Sequence, residues 1–236
     1  VTTAADVALY VAYRRRVDRI RRVAMARAAA VWVDLGGLDD ALVEPFVVEV
    51  AAATLPAREA AVDTVAGYIG LVVNDTPPVP RVDLRSVDAE FWRQPFISTW
   101  KALKDGRSET EAFAAGARRS RTVALDAVTR TERAALAEID SHEPRIVGWR
   151  RVPNPPVCRW CATVATQRYR TAEAASFGHS RCSCGVVPIT GTADPGRVIN
   201  KPMLDNLKRE RDAAYVDEHG HEAPRLDSRD GSTGDT

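Results

Sequence analysis

All four cysteines of this 236-residue chain fall between Cys158 and Cys184, as Cys158-x2-Cys161 followed by His179-x2-Cys182-x-Cys184. Thiolate and imidazole are the ligands of closed tetrahedral zinc sites, and a Cys-x2-Cys turn aims two sulfurs at one ion. Five donors stand where four are needed. Residues two apart on a strand point the same way, so Cys182 and Cys184 can both face a metal with Ser183 turned aside. The preferred set is Cys158, Cys161, His179 and Cys182, with Cys184 as the substitute, because the second pair departs from the Cys-x2-Cys spacing. Four protein ligands leave no position for a catalytic water, so the implied role of Zn2+ is structural. The surrounding segment has almost no core of its own, and metal binding worth on the order of 10 to 16 kcal/mol would be what folds it. Two disulfides satisfy the same even count wherever the surroundings are oxidising, as they are for a particle outside a cell. Buried thiols are a further alternative, and a redox-active Cys-x-x-Cys lacks the βαβ surroundings that depress a thiol pKa.

Charge offers a second chemistry. Lys and Arg number 33 against 32 Asp and Glu, so the chain is no bulk polycation and nucleic acid can be met only by a local patch. The stretch from Arg14 to Arg27 holds seven arginines and the single acid Asp18. Arg14, Arg15, Arg16, Arg19, Arg21 and Arg22 are the candidate phosphate contacts, which bind without sequence preference and weaken steeply with salt. The competing reading is a solvated helix face paired with acids of neighbouring helices. Arg118, Arg119 and Arg121 form a smaller cluster. No catalytic residues are expected. Ser180 stands beside His179 as nucleophile beside base, and adjacency does not make a triad. His142 beside Glu143 reads as an exposed loop histidine, and His219-x-His221 supports no more than adventitious metal binding. Phosphate-loop, H-E-x-x-H and G-x-S-x-G motifs are absent. No apolar run nears the roughly 18 residues of a membrane span, nor does a secretory h-region follow the arginine-rich start, so the chain reads as soluble and unsecreted.

The elements that must position these groups are mostly helical. Apolar residues at Tyr10, Tyr13, Val17, Ile20, Ala24, Ala28 and Val31 predict a long helix from Ala4 to about Leu35, stopped by Gly36 and Gly37. A second helix is expected over 38–54 with a break at Pro45, and a third over 56–73, capped by Thr54 with Pro56 in its first turn. The run Asn74 to Arg81, with three prolines, is linker chemistry. Ser86 is the expected cap of the next helix, through Trp92 and Trp100. Ser108-x-x-Glu111 is a capping box opening another of roughly 30 residues. Beyond Pro144 short strands replace helical periodicity, over 145–152 and 181–189, with a short helix over 159–166 between them and another over 200–215. From Val216 onward a flexible tail is expected, since apolar residues are few. The fold class is therefore mainly α: a long-helix body, a small C-terminal α+β zinc-binding module and a tail. The regions are 1–74, 75–143, the Cys/His module 144–199, and 200–236.

The run Gly148-Trp149-Arg150-Arg151, then Cys158-Arg159-Trp160-Cys161, then Phe177-Gly178-His179-Ser180-Arg181-Cys182-Ser183-Cys184-Gly185-Val186-Val187-Pro188, resembles the C-terminal motif of MuF-like minor capsid proteins. These are head-morphogenesis proteins of tailed bacteriophages, and the Ala- and Arg-rich composition is similar to versions from phages of actinobacteria. The motif covers about 40 residues. The resemblance implies a non-enzymatic protein inside the virion head near the portal vertex, in the host cytoplasm during assembly. Portal protein, capsid or scaffold proteins and DNA would be its partners, without a membrane. The alternatives are a capsid maturation protease, associated with the same gene neighbourhood, and a zinc-stapled nucleic-acid-binding protein outside a virion.

Overall fold

The computed structural model describes residues 2–76, 79–85, 88–154, 159–177, 184–191 and 193–219. Three helices of about thirty residues, α1 (Ala4–Asp34), α2 (Val43–Val73) and α4 (Glu109–Asp140), run side by side, with the shorter α3 (Ala89–Lys104) against α4. Thr3 and Asp6 close a capping box at the start of α1, and Gly36 at φ +66° turns the chain away from its end. Ser108 and Glu111 form the expected box at the start of α4.

Two expectations about proline fail. The segments 38–54 and 56–73 are not two helices: after a single 3-10 turn at Asp40–Leu42, α2 runs unbroken from Val43 to Val73. Pro45 lies in the first turn, where a missing N–H has no intrahelical partner to lose. Pro56 is inside the helix, yet it and Ala52, whose carbonyl it leaves unpaired, are exposed to water. Thr54 is no cap; its buried hydroxyl donates back to the carbonyls of Val50 and Ala51. Ser86 lies outside the described residues, and the side chain that caps α3 is that of Asp88, accepting from the Phe91 N–H.

Beyond α4 the chain forms β1 (Ile146–Val152), α5 (Arg159–Val164), β2 (Arg168–Tyr169), α6 (Ala172–Ser176), β3 (Gly185–Thr190) and α7 (Pro195–His219). The strands make one antiparallel sheet in the order β2-β1-β3, with Val152 opposite Gly185 and Arg150 opposite Val187. The helix expected over 200–215 starts earlier and ends later, so Val216 to His219 continue α7 rather than open a tail; the rest of the expected tail lies outside the described residues.

The interior has two clusters. One gathers Trp32, Phe46, Trp92 and Phe96 among α1 to α4, with Trp32 meeting Phe46 and Phe96 edge-on at centroid distances of 5.3 and 5.0 Å. The other unites the sheet with the helices: Trp149, Val152, Val186 and Val187 pack with Tyr10, Val17, Tyr68, Leu136 and Ile139. This corrects the expectation of a segment without apolar support. Its sheet borrows a core from α1, α2 and α4, so the strands have a hydrophobic reason to form besides any metal. Trp149 donates its indole N–H to Asp140 at the end of α4, 2.6 Å away. Arg150, pointing the other way, clasps Asp194, whose own N–H donates to the Thr2 hydroxyl at 2.8 Å.

Candidate functional site

Cys158, His179 and Cys182 lie outside the described residues, as do Ser180 and His221. Cys161 and Cys184 lie within them. Cys161, in the first turn of α5, is buried. Its sulfur faces the Arg151 guanidinium, with Nη1 3.9 Å from Sγ. Arg151 is itself 2% exposed, on β1; Nε donates to the Ala175 carbonyl at 3.0 Å and Nη2 donates to the Phe177 carbonyl. Its guanidinium lies 5.0 Å from the Trp160 ring centroid, a cation–π contact. Asn200 of α7 donates to the carbonyls of Arg151 and Ala165, tying the last helix to the same point. Cys184 immediately precedes β3, half-buried, next to Gly185, whose Cα approaches the Tyr10 hydroxyl and Arg14 so closely that a methyl group there would collide. Both described thiols thus flank one end of the β1–β3 pair. Among the described residues no three His, Cys, Asp or Glu side chains gather as a metal group.

The arginine cluster divides. Arg14 and Arg21 turn inward to Glu132 of α4, with N···O distances of 2.9 and 2.6 Å, and Tyr13 donates its hydroxyl to the same carboxylate at 2.6 Å. Asp18 adds contacts of 3.6 and 3.3 Å to the two arginines. Burial alone would raise the Glu132 pKa, but the two guanidiniums and the Tyr13 hydrogen bond outweigh it and hold the carboxyl below its ordinary range. Burial likewise pushes the Tyr13 and Tyr68 hydroxyls up, so these stacked rings stay neutral. Arg14 and Arg21 are therefore withdrawn from the candidate phosphate contacts: removing them from Glu132 would strand a buried charge. Arg15, Arg16, Arg19 and Arg22 remain exposed on α1.

Sequence reasoning missed Glu132. The signal was present: Val128, Glu132 and Leu136 are four residues apart on one stripe, and an acid on a buried apolar stripe demands a cationic partner. His142 is exposed, its Nδ1 within 2.8 Å of the Ser141 hydroxyl and 2.9 Å of the Glu138 carbonyl. Glu143 beside it is committed to Arg145, at 2.6 Å. No helix among the described residues is long and apolar enough to cross a membrane.

The VG15 protein family model matches residues 4–202, from the first turn of α1 into α7. No curated protein and no solved structure matches the chain. The match takes in the helical body, the sheet and the Cys/His segment as one span, so the chain belongs to the VG15 protein family, a family of bacteriophage proteins.

Proposed function

We propose that this phage protein is a minor, non-enzymatic component of the head, acting in head morphogenesis on the inner side of the shell near the portal. There it contacts portal, capsid or scaffold proteins, and DNA. The observation that carries the reading is the extent of the family match, which covers all of α1 through β3, including the segment whose Cys/His motif resembles MuF-like proteins. The shared core supports it further, since a sheet docked on three long helices makes one body suited to packing against larger assemblies. Within that body Cys158, Cys161, His179 and Cys182, with Cys184 as the substitute, hold a structural zinc ion. The placement of Cys161 and Cys184 at one end of the β1–β3 pair is compatible with that donor set.

Mass spectrometry of purified particles, with imaging of a labelled chain in them, tests the role. The chain is expected in finished heads, with label at the portal vertex; a chain abundant in infected cells but missing from heads overturns the reading. Metal analysis of the reduced, folded protein should give about one zinc ion per chain, and a metal-free folded protein removes the zinc.

A further inference from the structure

The exposed arginines of α1 stand in a row. Ala8, Ala12, Arg15, Arg19, Arg22, Ala26 and Ala30 follow one another at steps of three or four, and all are exposed, with Arg16 and Val23 at the edge of the row. Between Asp6 at the cap and Asp34 at the end, the only acid on the helix is Asp18, which is taken by Arg14 and Arg21. Among the described residues, Arg15, Arg16, Arg19 and Arg22 have no carboxylate within ion-pair distance. Pairing with an acid of a neighbouring helix is thus built for Arg14 and Arg21 and not for these four. Four unneutralised guanidiniums sit on a stretch of helix whose opposite side is locked to Glu132, so they are mounted on a fixed support.

What surrounds them narrows the partner. The row offers no aromatic ring on which the bases of a single strand would stack. It also lacks the tryptophan and tyrosine anchors that, together with arginine, carry most protein interfaces, having only Val23 and alanines beside the arginines. Small neighbours let a broad, stiff surface come close along a straight line. From Arg15 to Arg22 the helix rises about 10 Å, a length over which a DNA duplex presents about six phosphate charges.

We infer that the outer row of α1, Arg15, Arg19 and Arg22 with Arg16 beside them, is a binding surface for the phosphate backbone of duplex DNA, indifferent to sequence. The inference rests on the reading of the protein as a head component in contact with DNA, and gives that contact its residues. Fluorescence anisotropy of the full chain with a labelled random-sequence duplex, over a range of salt, tests it. Replacing Arg15, Arg16, Arg19 and Arg22 together by alanine should flatten the slope of log affinity against log salt by about 3 to 4 and weaken binding at low salt by at least about tenfold. The corresponding four-lysine variant should keep most of the slope. Circular dichroism should show both variants as helical as the parent, since none of the four side chains is buried. An unchanged slope in the folded alanine variant overturns the inference, as does preference for a single strand or for polyglutamate over the duplex. The two failures are separable: a chain missing from heads but with the expected slopes sinks only the head role, and a chain present in heads with an unchanged slope sinks only the DNA surface.

Discussion

Around Trp32 the helices meet mainly through rings and aliphatic chains, whereas around Glu132, further along α4, they meet through one carboxylate, two guanidiniums and three tyrosines. The first cluster gains from area removed from water and tolerates many arrangements of similar volume. The second does not. Two guanidiniums and a phenol must reach the two oxygens of one buried carboxylate, and a slip of α1 by one residue would move Arg14 and Arg21 off that stripe. The sheet docks on the second cluster, so the half of the molecule carrying the Cys/His segment rests on its more exacting contacts.

The largest expected effect separates the two by chemistry. Glu132→Gln should destabilise the protein by about 3 to 5 kcal/mol in urea unfolding, because two buried guanidiniums lose their counter-charge. Replacing the triad together, by Arg14→Met, Arg21→Met and Glu132→Leu, should be nearly neutral or stabilising. A mild Gln variant would mean that the polar cluster is as forgiving as the apolar one. The pH dependence sharpens the point. The folded-state pKa of Glu132 is lowered, so its contribution is full above the unfolded carboxylate pKa of about 4.3 and is lost as pH falls through the folded value. The parent should therefore lose more stability on acidification than the triple substitution does, other carboxylates being common to both.

Next in size is Gly116→Ala, which presses a methyl group into the Trp32 indole and the Thr99 hydroxyl. A loss of about 1 to 3 kcal/mol is expected, read as a lower melting temperature; no loss would show that the apolar cluster yields more readily than its packing suggests. Smallest is Ser108→Ala, which removes the cap of α4 away from both clusters and should cost about 1 kcal/mol. Equal losses from the last two would mean that strain at Trp32 relaxes locally.

Much of the helical frame was legible in the sequence because it is written in local terms. The apolar steps of α1, the stop at Gly36 and the capping box at Ser108 each involve residues a few positions apart. The continuity of α2 was not legible, since whether a proline breaks a helix depends on its turn and on whether the orphaned carbonyl meets water. Residues 2 and 194, or 14 and 132, meet only through the tertiary fold, so the inward turn of Arg14 and Arg21 was hidden among seven similar arginines. The strand β2 and helix α6 are too short to show a period. For the Cys/His segment, spacing indicates a donor set, of which only Cys161 and Cys184 are among the described residues, while Cys158, His179 and Cys182 lie outside them.

The hydrogen bond between Thr2 and Asp194 bears on how the protein is made. In synthesis α1 leaves the ribosome ahead of groups that close over its early turns, since Glu132, the sheet and the start of α7 lie more than a hundred residues later. Until Glu132 follows, the inward arginines of α1 lack that carboxylate, and their charge is open to ribosomal and messenger RNA. Completion of the body therefore does two things in one step: it withdraws two of the seven arginines, Arg14 and Arg21, into ion pairs with Glu132 and leaves Arg15, Arg16, Arg19 and Arg22 aligned on a finished surface.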